Sequence, residues 1–287
     1  MSRLPPWIRT RVRVDGCYAQ VHNLIRKGAL HTVCESAQCP NRPECFGRGT
    51  ATFMILGDRC VRNCRFCAVN TGDPLPLDPD EPERVAAAVA ELRLKHAVIT
   101  SVTRDDLDDG GAAAFAATIR AIRERAGQHV TIEVLTPDFQ GNRHDIRTVA
   151  AAGPDVFNHN LETVRRLQPK IRPQADYTRS LAVLRCVAGF EPRPVVKSGI
   201  MAGLGETDDE LYEAMRDLRS AGCEVLTVGQ YLAPSREHWP VARFVHPETF
   251  EVYANKARAM GFKAVASGPL VRSSYRAGET LRQARQE

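Results

Sequence analysis

"PVVKSGIMAGLGETDDELYEAMRDLRS", residues 194–220, reads as a strand, a loop and a helix in direct succession. The run 194–201 is β-branched and almost continuously hydrophobic, the pattern of a strand buried on both faces. Gly199, Gly203 and Gly205 follow towards the strand end, where bare backbone can approach a ligand. Their spacing fits neither the dinucleotide fingerprint nor the P-loop. Thr207 then reads as an N-cap with Glu210 at the third helical position, a capping box. Leu211, Met215 and Leu218 share one helical face. A buried strand feeding an amphipathic helix is the repeating unit of a parallel sheet.

Working outward, the same unit recurs. Further strands are expected at "TATFMIL" (50–56), "HAVITSV" (96–102), "HVTIEVL" (129–135), "PDVFNHN" (154–160), "EVLTVGQYL" (224–232) and "FKAVASG" (262–268). Between them, Val85, Val89 and Leu92 share a helical face, as do Phe115, Ile119 and Ile122. Right-handed crossovers between parallel strands follow from this order. Six or seven units fall short of eight, so the expected fold is α/β, an incomplete (β/α) barrel, with a doubly wound open sheet as the alternative. In either case functional groups collect where strands end and loops begin. Residues 1–49 lack the repeat and read as an extension on a barrel spanning 50–268.

Of 287 residues, 43% are hydrophobic and 25% charged, which is ordinary globular composition with ample length for a core. The net charge of +5 is spread along the chain, so it mildly favours acidic partners and makes no case for nucleic acid. "MSRLPPWIRTRVRV" has no apolar stretch or cleavage site of a signal peptide. No run of about 18 apolar residues predicts a membrane span. A reducing, cytoplasmic setting is expected, where nine cysteines, an odd number, suit metal binding or chemistry better than disulfides.

Six of the nine lie within residues 34–67. Cys60, Cys64 and Cys67 have the spacing C-x3-C-x2-C just after the first expected strand, in a loop with Gly57, Asp58 and Asn63. Three thiolates can hold three corners of a four-iron cubane and leave the fourth iron open, as a reactive site needs. A structural zinc would want four ligands and a closed tetrahedron. Cys34, Cys39 and Cys45 form a second triplet, C-x4-C-x5-C. Alone it also suits a zinc knuckle; beside the first it suggests a second cluster whose fourth ligand comes from elsewhere. "TRDDLDDGG" looks like a calcium loop but places Leu107 where an oxygen ligand is needed; a loop holding polar groups near a cofactor is the alternative. His159 is either a cleft residue or a structural histidine, and Phe66 has an equally plain reading as a core aromatic. Cys186 and Cys223 read as small buried hydrophobes, and Cys17 has no assignable role.

The first triplet at the end of a β/α strand resembles the radical S-adenosylmethionine superfamily. "TVCESAQCPNRPECFGRGTATFMILGDRCVRNCRFCAV" (32–69), "SVTRDDLDDGGA" (101–112), "FNHNLETV" (157–164), "KSGIMAGLGE" (197–206), "GQYLAP" (229–234) and "RSSY" (272–275) together resemble the lipoyl synthase family. Phe46 and Val61 depart from the residues expected there, and neither is a ligand.

This resemblance implies a radical S-adenosylmethionine barrel of the (β/α)6 type, closed over its site by a C-terminal tail, 269–287. It implies a four-iron cluster on Cys60, Cys64 and Cys67, chelating S-adenosylmethionine whose cleavage gives a 5′-deoxyadenosyl radical, with Phe66 near the adenine and Gly199, Gly203 and Gly205 in the cofactor cradle. It implies an auxiliary four-iron cluster on Cys34, Cys39 and Cys45, with Ser274 rather than Ser273 as fourth ligand. A polar turn is the plain reading of "RSSY". The implied reaction replaces C–H by C–S at carbons 6 and 8 of an octanoyl chain on a lipoyl carrier protein, using two S-adenosylmethionine and sulphur from the auxiliary cluster. Implied partners are octanoylated carrier domains (2-oxoacid dehydrogenase E2 subunits, glycine cleavage H protein), ferredoxin or flavodoxin, and an iron–sulphur carrier. A biotin synthase-like enzyme is the alternative. It would lack the N-terminal triplet. A tRNA methylthiolating enzyme would need a further RNA-binding domain, and a zinc-stabilised adaptor would leave the decorated strand ends unexplained.

Overall fold

The computed structural model describes residues 4–8 and 16–286. Apart from Leu4–Ile8, the segment read for a signal peptide therefore lies outside the described residues. Two compact units are present. One holds the described residues of Arg11–Arg62 and Ala68–Phe157, the other those of Met1–Thr10, Asn63–Cys67 and Asn158–Glu287.

The first unit begins with α1 (Gly16–Lys27), β1 (His31–Thr32), α2 (Val33–Ser36) and α3 (Arg42–Gly47). It continues with β2 (Thr52–Ile55), the short β3 (Arg59–Cys60) and β4 (Asn70–Thr71), then α4 (Glu81–Glu91), β5 (His96–Ser101), α5 (Ala112–Ala126), β6 (Thr131–Leu135), α6 (Arg143–Ala151) and β7 (Val156–Asn158). β2 pairs parallel with β5 (Thr52 opposite Val98), and β5 with β6 (Ala97 opposite Ile132). Phe53, Ile55, Ile99, Ile132 and Val134 of these strands are fully buried, as the unbroken hydrophobic runs require. Val85 and Val89 of α4 and Phe115, Ile119 and Ile122 of α5 face the same core, while Leu92, at the C-cap of α4, is half-buried. Sequence reading foresaw no strand in the first fifty residues. β1 pairs antiparallel with β2 there, His31 opposite Met54, and two residues are too few to show a period.

The second unit holds α7 (Gln168–Ile171), α8 (Tyr177–Ala188), β8 (Val195–Ala202), α9 (Asp208–Ser220), β9 (Val225–Gln230), α10 (Pro247–Ala259), β10 (Ala264–Gly268) and α11 (Ala277–Gln286). β8, β9 and β10 pair parallel, with Lys197 opposite Val225 and Val225 opposite Ala264. The capping box of α9 is present: Glu210 N–H donates to Thr207 Oγ1 at 3.2 Å, and Thr207 N–H to Glu210 Oε2 at 2.9 Å. Leu211, Met215 and Leu218 are buried beneath it. After β10 the chain returns over β9, so close that a Cβ on Gly229 would lie 2.1 Å from the Val271 carbonyl oxygen. Only glycine permits that crossing.

Neighbouring strands run β1-β2-β5-β6 in the first unit and β8-β9-β10 in the second. The fold is α/β with a mostly parallel sheet, built from the strand–helix units that the sequence predicts.

Candidate active site

In the first unit, β2 ends in a left-handed turn, Leu56 (φ +70°) and Gly57 (φ +88°). The buried Glu81 carboxylate at the start of α4 accepts the Leu56 N–H at 2.7 Å. Burial pushes Glu81 above the usual carboxylate range, and the N–H groups of Leu56 and Gly57 oppose that rise. The turn delivers β3, so Cys60 stands in a two-residue strand paired with β4 rather than in an open loop. Val61 N–H donates to the Thr103 carbonyl at 3.2 Å, and Thr103 N–H donates to Cys60 Sγ at 3.3 Å. Beside them Arg62 holds Asp105 with both ends of its guanidinium, at 2.6 and 2.8 Å, and Asp138 at 2.6 Å. Burial pushes Arg62 down, but the two carboxylates outweigh it and hold the guanidinium above its ordinary value.

Three of the four aspartates in the stretch after β5 have partners. Asp105 pairs with Arg62, Asp106 pairs with Arg104 at 2.8 Å, and Asp109 accepts the N–H groups of Gly111 and Ala113 at the start of α5. These carboxylates are committed to side chains and a helix N-terminus, which a calcium loop would not allow.

In the second unit the stretch 63–67 is held at several points. Asn63 N–H donates to Gln174 Oε1 at 3.1 Å, and Arg65 N–H to the Ile171 carbonyl at 2.8 Å. Trp239 N–H donates to the Arg65 carbonyl at 2.8 Å, and Cys67 N–H to the Cys64 carbonyl at 3.0 Å. His238 Nε2 lies 3.1 Å from the Cys67 carbonyl and its Nδ1 lies 2.8 Å from Ser235 Oγ. A carbonyl only accepts, so Nε2 carries the proton and Nδ1 receives the Ser235 hydroxyl. Phe66 between these anchors is half-buried and no part of the core. Neither Arg62 nor the 235–239 segment was singled out from sequence; the partner that buries Arg62 is 76 residues away, and His238 reaches Cys67 across 171.

The second triplet lies in the first unit, Cys34 in α2, Cys45 in α3 and Cys39 between them. Thr32 caps α2 by accepting the Glu35 N–H, Cys39 N–H returns to the Cys34 carbonyl at 3.1 Å, and Pro43 sits in the first turn of α3. Burial pushes the Cys34 thiol up to about 11 and the Cys45 thiol up to about 12. Cys39 raises Cys34 further, and Cys34 and Cys39 raise Cys45, so the three sulphurs lie within electrostatic reach of one another. Cys34 is buried and Cys39 and Cys45 are half-buried; neighbouring thiols of this kind become thiolates together when cations balance them, which is the donor set an iron–sulphur cluster needs. Among the described residues no group of three or more His, Cys, Asp or Glu surrounds a single point as ligands of one metal ion would. In a cubane each thiolate binds a different iron, so its sulphurs stand apart.

Ser273 and Ser274 follow the crossing over β9. Ser273 Oγ donates to Asn160 Oδ1 at 2.9 Å and accepts from Asn158 Nδ2 at 2.6 Å. Among the described residues no hydrogen bond reaches the half-buried Ser274 hydroxyl. His159 is buried, its N–H bonded to the Lys197 carbonyl and its carbonyl to Ser198 Oγ. Gly199 lies within β8 beside Thr227 and Asn160, and Gly205 opens towards Ala242. Gly203 (φ +97°) is packed so that a Cβ would meet Gln230 Nε2 at 2.3 Å, while the Glu206 carboxylate accepts the N–H groups of Gly203 and Leu204 at 2.8 Å each. Cys223 is buried, its thiol pushed up to about 12; Cys186 and Cys17 are half-buried.

More than half of the chain, residues 54–218, matches the Radical SAM superfamily, and residues 1–39 match the N-terminal domain of lipoyl synthase. The lipoyl synthase of Caldanaerobacter subterraneus subsp. tengcongensis is 54% identical over 283 residues, 99% of either chain. The chain belongs to the lipoyl synthase family. The lipoyl synthase of Methylococcus capsulatus is 56% identical over 278 residues, 96% of this chain and 86% of that one. Among solved structures, methylornithine synthase (PylB) matches 89% of this chain and 75% of that one at a TM-score of 0.56 and 13% identity. HydG, a maturase of the [FeFe]-hydrogenase, matches 74% of this chain at a TM-score of 0.58 and 17% identity, this chain spanning 50% of its length. These two likenesses are of fold. Family membership makes the chain an enzyme, a sulphurtransferase of the radical S-adenosylmethionine class, with a four-iron cluster and S-adenosylmethionine as cofactors. The biotin synthase-like alternative gives way to it. Among the described residues no helix is long and apolar enough to cross a membrane.

Proposed function

We propose that Cys60, Cys64 and Cys67 hold the cluster that binds S-adenosylmethionine, and that Cys34, Cys39, Cys45 and Ser274 hold an auxiliary four-iron cluster. When bound, these groups would supply the electron that breaks the sulphonium and the two sulphur atoms placed at carbons 6 and 8 of a carrier-bound octanoyl chain. The chain's own residues hold and orient. The Leu56–Gly57 turn and Arg62 fix the Cys60 end of the loop, and His238 and Trp239 fix the Cys64–Cys67 end. Phe66, half-buried, offers a face to the adenine, and Gly199, Gly203 and Gly205 form the cradle beside β8. Ser274 serves as ligand because its hydroxyl is uncommitted where that of Ser273 is not. The partners are octanoylated lipoyl domains of 2-oxoacid dehydrogenases and the glycine cleavage H protein, a ferredoxin or flavodoxin, and a cluster carrier, in a cytoplasmic setting.

The observation that carries this reading is the second triplet: three neighbouring thiols, Cys34 buried and Cys39 and Cys45 half-buried, gathered on α2, α3 and the turn between them. With six clustered thiols engaged as ligands, none remains within the motifs as a persulphide carrier. The test is reconstitution of the full chain with iron and isotopically heavy sulphide, to about eight irons per chain. It is then given octanoylated carrier and S-adenosylmethionine in unlabelled medium. Mass spectrometry is expected to find heavy sulphur at both carbons and about one product per chain. Mostly light sulphur would refute the auxiliary source.

A further inference from the structure

An ion-pair cluster of Arg62, Asp105 and Asp138 lies beside Cys60. Thr103 N–H points at Cys60 Sγ, and Thr103 itself lies just past the end of β5. Its carbonyl accepts the Val61 N–H, so the stretches 60–62 and 103–105 are joined by one main-chain bond and one N–H···S bond. Both are weak ties between the end of β3 and the loop beyond β5. The strong tie is Arg62, whose side chain is 4% exposed and whose planar fork grips Asp105 two residues beyond Thr103. Its other partner, Asp138, is fully buried and accepts the Gln140 N–H at 3.1 Å, which anchors the arrangement beyond β6. Two charged groups, Arg62 and Asp138, are thus withdrawn from water near one cysteine, with the half-buried Asp105 beside them. Such an arrangement is expensive unless every charge is met, and here the guanidinium is met on both sides.

We propose that Arg62 is a positioning residue: with Asp105 and Asp138 it holds the Thr103 N–H on the Cys60 sulphur and so raises the reduction potential of the cluster that this sulphur carries. The inference rests on Cys60, Cys64 and Cys67 being cluster ligands. The cluster's negative charge grows on reduction, and an N–H dipole aimed at a ligand sulphur stabilises the reduced form. Lysine cannot replace the fork, because a point charge on a flexible stem cannot grip Asp105 with two parallel bonds and Asp138 at once. Charge is nevertheless conserved in Arg62→Lys, which separates positioning from simple Coulombic influence.

The experiment is a redox titration of the reconstituted full chain by electron paramagnetic resonance, following the signal that shifts when S-adenosylmethionine is added. Hydrogen exchange at the Thr103 amide is measured in parallel. In Arg62→Lys at unchanged iron content, the midpoint is expected to move to more negative potential and the Thr103 amide to exchange about tenfold faster. A second variant, Asp105→Asn, guards against poor assembly of the first. Loss of a negative charge alone would raise its midpoint, whereas a slackened N–H···S bond lowers it. A lower midpoint in Asp105→Asn supports the proposal, and an unchanged or higher one overturns it, as does an unchanged midpoint in Arg62→Lys. A parent chain with no S-adenosylmethionine-responsive signal would overturn the ligand reading and the inference with it. A responsive parent with unmoved variants would sink the inference alone.

Discussion

The hydroxyl of Ser273 donates to Asn160 and accepts from Asn158, so both of its capacities are used at the end of β7, while Ser274 is engaged by no hydrogen bond among the described residues. Replacing either by alanine should therefore do different things. Ser273→Ala removes one partner from two amide side chains and is expected to destabilise the chain by about 1–3 kcal/mol while leaving measurable lipoyl product. Ser274→Ala should leave stability nearly unchanged and abolish product, with 5′-deoxyadenosine still formed. Thermal unfolding together with mass spectrometry of the carrier peptide checks both; the reverse ranking of product would transfer the ligand role to Ser273. The same contrast shows what adjacency in sequence conceals. "RSSY" offers two identical hydroxyls, and only the asparagines folded against one of them tell the two apart.

At the scale of elements, α9 is a unit whose start is fully specified. Thr207 and Glu210 close the capping box, and Arg166 adds two charge-assisted contacts to the Glu210 carboxylate, at 2.7 and 2.9 Å. Those Arg166 contacts, ahead of the Thr207 N–H, hold Glu210 down at about 2, against an ordinary value of 4.5. A depressed carboxylate stabilises the fold above its unfolded value, and that contribution is lost as pH falls through the folded value. Glu210 is therefore expected to support α9 fully above pH 4.5 and to stop doing so as pH approaches 2. Its surface position and screening by salt keep the effect small. Thr207→Ala should cost about 1 kcal/mol. Urea unfolding at pH 7 measures that loss. Repeating it at pH 3 should show a smaller penalty for Glu210→Gln than at pH 7, and an equal penalty would mean that the carboxylate charge contributes nothing.

At the scale of the whole molecule, the chain carries two sets of thiols with separate supports, so their roles should separate by mutation. Cys64→Ala is expected to abolish 5′-deoxyadenosine and lipoyl product together. Cys39→Ala should retain S-adenosylmethionine cleavage, lose sulphur insertion entirely and bind about four fewer irons. Chromatographic assay of 5′-deoxyadenosine beside product decides the matter, and equal loss in both variants would contradict two distinct functions.

The strand–helix repeats, both cysteine triplets and the capping box at Thr207 could be read directly from the chain, because hydrophobic period, turn chemistry and ligand spacing are written within windows of a few to some fifteen residues. The two-residue strands β1, β3 and β4 carry no period and were invisible, although β3 holds Cys60. Leu107 alone told against a calcium loop in "TRDDLDDGG", but the partners of Asp105, Asp106 and Asp109, which are Arg62, Arg104 and the start of α5, are not written there. Arg62 reaches Asp138 across 76 residues, and His238 reaches the Cys67 carbonyl across 171. No local pattern encodes such meetings, since each side chain taken alone reads as a solvated charge or an ordinary histidine. The sequence by itself determined which atoms can bind iron and which segments can form the sheet. Tertiary structure alone decided which buried charges and N–H groups surround those atoms, because burial and pairing come into being only when distant segments exclude water together.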